Sequence, residues 1–464
     1  MNISILDGDA KYYETILEEI NPNNDKDTRE RLKSIVDRHI LEIPNIVVGE
    51  DYYNHKSKIL TQKTREDAEG NTSVTKPDWR IVTNYHQNLV DQKVSYIAGN
   101  PITIKCDDDK ALHAIHDLFN VKFDDKLIDI LTDASNKGIS WIQPYINEQG
   151  ELNIYKVPAE QAIPIWKNNE CEELTAFIRV FKVGKETKVE YWDSENVSYY
   201  VLHDETLIPD YFYGDDYVFT HYEGGSWGRV PFIAFKNNTQ ELSDLAMYKT
   251  IIDAIDKRLS DTQNTFDEAT ELIYILKGYE GESLDQFMTN LKYKKAINVS
   301  GDGGVDTIQV EVPIIATKEY ITMMRDYLVE FGQGIDFQND KFGNSPSGIA
   351  LKFLYSNLDL KANKLTRKTY VALQELLQYV IDFNNLNVDV KDIEIQFNFN
   401  RMINELEQTQ IATSSTALLS KETIIGHHPW VDDAQGELER VDNESLALNT
   451  TLPSMELDDE YTTQ

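Results

Sequence analysis

The stretch that decides the fold is residues 245–273, LAMYKTIIDAIDKRLSDTQNTFDEATELI. Its seam residues recur at alternating spacings of three and four, which is typical of a long helix that packs along other long helices. The seam consists of Leu245, Tyr248, Ile252, Ile255, Leu259, Thr262, Phe266, Ala269 and Ile273. A second helix of this kind is predicted through Ile314, Ile321, Met324, Leu328 and Phe331. We therefore expect both seams to be buried against other helices.

Three segments beside these helices have patterns of their own. Residues 271–313 lie between the two helices and predict a compact α/β insert. Residues 332–344, GQGIDFQNDKFGN, contain three glycines and no periodicity, which indicates a loop. Ser345 as N-cap then begins a very long helix that reaches about Phe383, with a bend expected at Gly348 or at the polar patch 356–361.

The outer parts of the chain hold the remaining helices and most of the strands. One apolar stripe predicts a helix across 80–99, and short alternating runs across 139–236 predict an antiparallel sheet. A strand, DIEIQFNF, is predicted at 392–399, followed by helices near 403–413, 415–421 and 434–445. The fold class is therefore α+β.

Charge balance and cysteine count exclude several classes of protein. The chain has 464 residues, with 45 basic and 79 acidic side chains and a net charge of −34. Such an acidic surface repels nucleic acid, which argues against a conventional DNA-binding domain. Two cysteines, Cys106 and Cys171, indicate no disulfide framework and favour a reducing compartment. No segment has the pattern of a signal peptide or a membrane span.

Two glycine motifs resemble catalytic signatures but lack the required context. Gly224–Gly228, GGSWG, has the spacing of a hydrolase nucleophile elbow, which needs a helix directly after the serine. Because Val230–Ile233 continues as a strand, we predict a hairpin turn instead. Gly343–Gly348 has the glycine spacing of a P-loop but lacks the lysine that must meet the phosphate charge.

Candidate metal ligands do not converge in the sequence. His427 and His428 are adjacent and project in different directions, and three consecutive carboxylates at Asp107–Asp109 cannot easily meet one ion. Asn23–Asp27 lacks the glycine and the closing glutamate of a calcium loop. We therefore expect no enzyme activity, no cofactor and no metal site. A metal-dependent hydrolase or nuclease, the alternative from another class, would need carboxylates that converge.

Short motifs are spread in a characteristic order over about residues 30 to 445. They are Tyr52-Tyr53-Asn54-His55 with Ile59, Ile81–Tyr85, Asp91, Lys93, Tyr96, Gly99–Ile102, Leu276–Tyr279, Ser347–Lys352, Phe397–Phe399, Leu419–Thr423, and Val431–Asp433 with Glu437 and Glu439. In order and spacing these motifs resemble the portal protein family of tailed double-stranded DNA bacteriophages, of the long non-contractile-tail (siphovirus) type. The sequence departs from the family in its short crown region and its short acidic tail.

The resemblance implies the phage portal fold, in which wing, stem, clip and crown assemble as a ring around a channel lined by long helices. The implied regions are the wing at 1–238 (helical, then β-rich), stem helix 1 at 239–270, the clip at 271–313, stem helix 2 at 314–332, the tunnel loop at 333–345, the long kinked helix at 346–385, a wing strand at 386–402, crown helices at 403–445 and an acidic flexible tail at 446–464.

The implied function is that of a portal protein, a DNA channel and head–tail connector at one capsid vertex. A ring of about twelve copies would nucleate procapsid assembly, dock the terminase motor for genome packaging, then bind the head–tail adaptor and gate DNA retention and ejection. Implied partners are double-stranded DNA without sequence preference, the terminase large subunit, the adaptor, and scaffolding and major capsid proteins, with no membrane. The implied location is the virion, and the host cytoplasm during assembly.

The resemblance also implies which residues meet these partners. The DNA-facing residues of the tunnel loop are Asp336, Phe337, Gln338, Asn339, Asp340, Lys341 and Phe342. The long helix contributes Lys352, Lys361 and Lys364 to the channel. The clip residues that would contact terminase or adaptor are Lys277, Tyr279, Lys292, Lys294 and Lys295.

The acidic composition agrees with a conduit, because a protein that neutralises many phosphates would stall a moving duplex. Lys341 is the basic side chain near the loop and is expected either to touch phosphates transiently or to be solvated. Repulsion between acidic copies predicts that salt or divalent cations aid ring assembly. Three structural alternatives stay open: another head–tail connector ring without a packaging role, an oligomeric scaffold without DNA contact, and a monomeric helical hairpin with an appended sheet.

Overall fold

The computed structural model describes residues 25–62, 77–168, 171–203, 206–212, 214–269, 273–277, 283–294, 304–308, 312–336, 348–401, 404–426, 428, 430–431 and 434–451. The chain divides into two compact units, the first comprising Met1–Gly334 with Leu358–Asn400 and the second Ile335–Asn357 with Arg401–Gln464. The predictions made for Asn23, Gly343, Ser345 and His427 lie outside the described residues.

Twelve α-helices are described, and none of them is long and apolar enough to span a membrane. They are α1 (Asp25–Ile46), α2 (Val48–Tyr53), α3 (Tyr85–Ala98), α4 (Asp109–Leu118), α5 (Val121–Lys137), α6 (Lys249–Ala269), α7 (Leu284–Thr289), α8 (Ile314–Gly332), α9 (Gly348–Asn384), α10 (Glu405–Ser415), α11 (Lys421–Gly426) and α12 (Ala434–Thr451).

The described strands are β1 (Thr103–Lys105), β2 (Ile139–Ile146), β3 (Leu152–Val157), β4 (Ala162–Trp166), β5 (Leu174–Val183), β6 (Glu186–Trp192), β7 (Asn196–His203), β8 (Thr206–Pro209), β9 (Val218–Thr220), β10 (Ile233–Lys236), β11 (Ile273–Lys277), β12 (Gly304–Ile308) and β13 (Glu394–Gln396). The largest sheet has the order β4-β5-β6-β7-β8, with β9 also paired to β7. Smaller sheets are β10-β2-β3, β1-β13 and β11-β12, and every described pair is antiparallel.

Strand β5 is buried on both faces of its sheet, because successive side chains of a strand point to opposite sides. Ile178 belongs to a cluster with Leu32 of α1. Phe177 faces the other way and stacks on Phe232, with ring centroids 3.8 Å apart, while its edge meets Trp141 of β2 at 5.0 Å. Helix α1 and the sheet β10-β2-β3 thus cover the two faces, which places this core in the β-rich segment predicted from alternation.

The two seam helices, α6 and α8, pack on each other within the chain. Tyr248, Ile252 and Ile255 are at most 1% exposed and share a cluster with Leu328 of α8. Phe266, farther along the same seam, is 38% exposed. One chain therefore buries the first part of the seam and leaves Phe266 partly accessible, while Ala269 beyond it is buried.

Helix α6 begins at Lys249, later than the predicted start at 239. A short 3-10 turn, Asp244–Met247, precedes it, and the Ser243 hydroxyl accepts the N–H of Leu245 at 3.2 Å. Serine side chains of this kind compete with helical hydrogen bonds and favour caps and turns. The first seam residues consequently sit in a turn before the helix.

The C-terminal helices also differ from the prediction at their ends. Helix α9 is unbroken from Gly348 to Asn384, so the polar patch 356–361 does not interrupt it, and the predicted bend stays a prediction. Residues 416–419 form a turn instead of part of a helix, and α11 starts only after Ser420, whose hydroxyl accepts the N–H of Thr423 at 3.3 Å. Helix α12 continues to Thr451, so the predicted flexible tail does not begin at 446.

Candidate functional site

The structure describes part of the predicted DNA-facing set. Asp336 is half-buried, and Phe337–Phe342 lie outside the described residues. Lys352 and Lys364 of α9 are exposed, as side chains that meet a ligand must be.

Lys361 does not line a channel, which corrects the prediction. Its side chain is 5% exposed and its ammonium is bound inside the chain. The physical reason is its helix face: Lys361 lies three and four residues from Leu358 and Leu365, which are 2% and 0% exposed. Residues at these spacings share one side of a helix, so Lys361 points with them into the core.

Two of the predicted clip contact residues, Lys277 and Lys292, have exposed side chains. Strands β11 and β12 pair, and Lys277 forms an ion pair with Asp306 in which both side chains are at least 60% exposed. Lys292 is exposed in the turn that follows α7, and Lys294 ends that turn. Tyr279 and Lys295 lie outside the described residues. Exposed ion pairs contribute little free energy, so the hairpin leaves its charges available to a partner.

The root of the loop is the end of helix α8, and it lies against α3. The chain turns at Gln333, whose φ of 52° is left-handed, and the N–H of Gly334 bonds to the carbonyl of Val329 at 3.0 Å. A Cβ on Gly332 would lie 2.7 Å from Leu89 of α3, and one on Gly334 would be closer still. Glycines are needed here because the backbone approaches α3 so closely.

A buried charge cluster holds this root to the rest of the first unit. We define the charge cluster as Lys93, Asn237, Asp244 and Lys361. The Lys361 ammonium donates to the carbonyl of Gly332 at 2.9 Å and lies 3.0 Å from Asp244 Oδ2. Lys93 Nζ is 2.7 Å from the same carboxylate oxygen and donates to Asn237 Oδ1 at 2.8 Å. The cluster thus joins α3, the turn before α6, the end of α8 and α9.

The electrostatics of the cluster are set by two cations around one anion. Burial by itself would raise the pKa of Asp244, but Lys361 and Lys93 outweigh it and hold that pKa well below its usual value. Burial lowers the pKa of Lys93 to about 8, although Asp244 opposes the shift. Such a desolvated group is stable only when every charge has a partner, so loss of one member leaves a buried charge uncompensated.

His86 extends the polar interior next to the charge cluster. Its Nε2 lies 3.0 Å from Asn136 Oδ1 and its Nδ1 lies 2.8 Å from the hydroxyl of Tyr248. Since Asn136 Oδ1 can only accept, Nε2 carries the proton and Nδ1 accepts from Tyr248. Burial lowers the pKa of His86 to about 4, so the ring is neutral near pH 7.

A polar ladder on α6 binds the extended segment 79–83. Asn264 Oδ1 accepts the N–H of Trp79 at 2.7 Å, Ser260 Oγ accepts that of Ile81 at 2.9 Å, and Asp256 Oδ1 accepts that of Thr83 at 3.0 Å. Alternate residues of a strand present their N–H groups to one side, and every fourth residue of a helix lies on one face. Because these two spacings match, three side chains of α6 each accept one backbone N–H of the segment. They take the place of the carbonyl groups that a neighbouring strand would offer.

The GGSWG segment is a turn, as predicted, and it contacts α9. Gly224 and Gly228 have φ of 84° and 64°, and strand β10 follows instead of a helix. The Trp227 ring meets Tyr379 of α9 edge-on at 5.2 Å. The Arg229 guanidinium lies 3.9 Å from the centre of the Tyr379 ring and forms an ion pair with Asp382 at 2.7 Å. The motif therefore anchors the C-terminal part of the long helix.

Comparison with known proteins identifies the family. Residues 32–448 match the family model described as phage portal protein, SPP1 Gp6-like. The chain belongs to this family of phage portal proteins. It is 33% identical over 433 residues to the portal protein of Bacillus phage SPP1, covering 89% of this chain and 86% of that protein. It is 30% identical over 430 residues to the portal protein of Clostridium phage phiCD119, covering 88% and 94%.

Two solved structures resemble this portal protein at low sequence identity. A chain of the virion of a native gene transfer agent particle has a TM-score of 0.47 and 11% identity, covering 73% of this chain and 88% of that one. A chain from the neck of an empty particle has a TM-score of 0.48 and 10% identity, covering 74% and 90%.

Family membership confirms the resemblance found in the sequence and the α+β portal fold class. The chain is a structural component of the phage virion at the capsid vertex. In the part of the portal protein that the structure describes, no three His, Cys, Asp or Glu side chains gather as a metal site would require.

Two buried groups, the charge cluster and the polar ladder, are absent from the sequence-based site predictions. A signal for Lys93 exists, because it falls inside the apolar stripe of α3 beside Leu89 and Val94. A signal for the ladder is the spacing of four between Asp256, Ser260 and Asn264 along one side of a seam helix. No local signal pairs Lys361 with Asp244, because their contact depends on how distant elements meet.

Proposed function

We propose that this portal protein assembles into a ring of about twelve copies that conducts double-stranded DNA and has no catalytic activity of its own. The observation that carries the proposal is the match of residues 32–448 to the portal family. In this proposal the insert 271–313 contacts the terminase motor during packaging and the head–tail adaptor afterwards. The loop after Gly334 faces the DNA.

The exposed face of α8 supports assembly through the stem. Five large apolar side chains of this helix are at least 43% exposed: Ile314, Ile315, Met323, Tyr327 and Phe331. Tyr327 and Phe331 stack on each other at 5.8 Å, which presents one continuous aromatic surface. Soluble monomers rarely expose contiguous apolar patches of this kind, whereas neighbouring copies in a ring would bury them.

The net charge supports a channel that lets DNA slide. Each copy brings a net charge of −34, so a ring repels the phosphate backbone as a whole. Lys352 and Lys364 are exposed cations on α9 that would offer weak, local phosphate contacts. The affinity of such phosphate contacts falls steeply as the salt concentration rises. A few of them therefore bind DNA transiently and not tightly.

Light scattering followed by negative-stain imaging tests the ring. We expect a mass that is a multiple of 53.4 kDa and particles with a central hole, at moderate salt and with magnesium. Ile315→Asp should abolish rings. Leu41→Asp is the matched control because both side chains are 77% exposed. A monomer under every salt and magnesium condition would refute the proposal, and so would rings that survive Ile315→Asp but not Leu41→Asp.

A packaging assay with purified terminase and ATP tests the role in DNA transport. Lys292→Glu should reduce DNA uptake severalfold without affecting ring formation, while Lys185→Glu, an exposed wing substitution, should not. Equal uptake by both variants would contradict the clip assignment. Incubation of the ring with plasmid DNA and magnesium should leave the plasmid intact, and cleavage would contradict the absence of catalysis.

A further inference from the structure

Lys361 is a buried cation in direct contact with the root of the DNA-facing loop. Its ammonium donates to the carbonyl of Gly332, the last residue of α8, at 2.9 Å. The same group lies 3.0 Å from Asp244 and 5.7 Å from the centre of the Tyr248 ring. One side chain of α9 therefore reaches the end of one stem helix and the beginning of the other.

The contact with Gly332 acts as a C-terminal cap. The last carbonyls of a helix lack partners within the helix, and a cation near them interacts favourably with the helix dipole. Gly332 is buried beside Leu89, which leaves its carbonyl little access to water. Without Lys361 this buried carbonyl would lose its charged donor, and Asp244 would keep one cation, Lys93, together with the Asn237 amide.

The cap also limits where the loop can move. Gly332 is held by Lys361, and the glycines on both sides of Gln333 lie against Leu89 of α3. Asp244 connects Lys361 to Lys93 on the same helix α3. The root, α3 and α9 are thus joined through one network, which holds Gly332 in place.

We infer that Lys361 is a positioning residue that fixes the root of the DNA-facing loop to the long helix α9. The residue acts through the Gly332 carbonyl and does not touch DNA. That the loop faces DNA rests on the proposed function, whereas the mechanical link between Lys361 and the loop root does not.

Hydrogen–deuterium exchange of the assembled full-length protein tests the link. The amides of Gln333 and Gly334 are bonded to the carbonyls of Glu330 and Val329, so they report on the root directly. In Lys361→Met we expect these amides to exchange about tenfold faster. This factor is the one expected when local opening becomes easier by the contribution of one ordinary hydrogen bond. Lys361→Arg should restore slow exchange, and Lys364→Met, an exposed lysine on the same helix, should change nothing.

Two exchange results would overturn the inference. One is unchanged exchange at 333 and 334 in Lys361→Met. The other is an equally large acceleration of amide exchange in strand β5. Lys361 would then affect only the overall stability of the protein. If Lys361→Met does not fold, Lys361→Gln serves instead, since its neutral amide is one bond shorter than the ammonium and so neither reaches the Gly332 carbonyl in the same way nor forms an ion pair with Asp244. The backbone amides of Gln333 and Gly334 should then exchange faster in Lys361→Gln than in the wild type. Exchange at the wild-type rate would refute the inference.

DNA packaging separates this inference from the proposed function. Rings of Lys361→Met should form normally yet retain severalfold less packaged DNA than Lys361→Arg rings. If wild-type rings package no DNA, the proposed function fails while the exchange result still decides the positioning role. If all variants package equally although the root exchanges faster, the loop root has no part in DNA passage, while the positioning role of Lys361 is upheld by the exchange result.

Discussion

Asp256 holds Thr83 through two hydrogen bonds, one from the backbone N–H at 3.0 Å and one from the hydroxyl at 2.7 Å. The other carboxylate oxygen accepts from the hydroxyl of Ser57 at 2.6 Å. This buried acid therefore binds Ser57 and the extended segment 79–83 to helix α6. Together with Ser260 and Asn264 it packs that segment onto α6.

Removing the acid should destabilise the protein strongly. Asp256→Ala leaves three donors without an acceptor, and we expect a loss of about 3 kcal/mol in the free energy of unfolding. Asp256→Asn keeps one oxygen as acceptor and should cost less. Chemical denaturation monitored by tryptophan fluorescence measures both. Lys257→Ala, at the neighbouring exposed position, is the control, and an equal effect of the two alanine variants would contradict the ladder's role.

Gly138 is expected to tolerate no side chain. It joins α5 to β2 with a φ of 88°, and a Cβ would collide with the backbone carbonyl of Glu241. Gly150 also has a positive φ, 78°, but nothing lies within 4 Å of its Cβ position. Gly150→Ala should therefore cost only the backbone strain, about 1 kcal/mol, and Gly138→Ala at least about 3 kcal/mol. Thermal unfolding of both variants checks this, and similar melting temperatures would show that the collision is relieved.

His86 should make the protein sensitive to acid. Its pKa falls from the ordinary value of 6.5 to about 4 in the folded state. Between these values the unfolded chain binds more protons, so stability is complete above pH 6.5 and decreases as the pH falls toward 4. The expected loss attributable to this side chain is about 3 kcal/mol.

Urea denaturation at several pH values measures this loss. Asp244, Lys93 and Lys361 are the charged groups that influence the ring. His86→Gln keeps a side chain that can bond to Asn136 and should have a shallower pH dependence than the wild type between pH 4 and 6.5. Parallel curves for the two proteins would show that His86 does not titrate as expected.

The contact of Arg229 with α9 should depend on stacking more than on its ion pair. The pair with Asp382 is partly exposed, with side chains 34% and 46% accessible, so it should contribute only about 0.5 kcal/mol. Stacking on the Tyr379 ring at 3.9 Å should contribute about 1 kcal/mol. Arg229→Met should therefore destabilise the protein more than Asp382→Asn. A double-mutant cycle measures both terms, and an equal cost for the two single variants would contradict this order.

Glu407 should stabilise the start of the long helix in the second unit. Its Oε2 accepts the N–H of Gly348, the first residue of α9, at 2.7 Å. An acceptor with negative charge at a helix N-terminus contributes about 1 kcal/mol. Glu407→Ala should accelerate proteolytic cleavage near Gly348 severalfold. Glu439→Ala, an exposed acid on α12, should leave the cleavage rate unchanged, and equal acceleration would indicate a general effect of charge.

Local pattern was enough to predict several elements of the fold. The seam of α8 predicts the helix Ile314–Gly332, and alternation predicts the antiparallel strands across 139–236. These predictions succeed because a repeat in one segment reports which of its faces is buried. Helix ends were less accurate, as at Lys249 and Ser420, because a single serine hydroxyl can replace a helical hydrogen bond.

The sequence by itself determined the α+β class, the succession of long helices around a small insert, and the resemblance to portal proteins. These properties depend on short-range periodicity and on the order of motifs along one chain. Only the tertiary structure decided that Lys361 is a buried partner of Asp244 and Gly332 and not a channel lysine. The physical reason is that Lys361 lies more than a hundred residues from Asp244 in sequence. Burial of its charge therefore depends on the packing of distant helices, which local patterns do not encode.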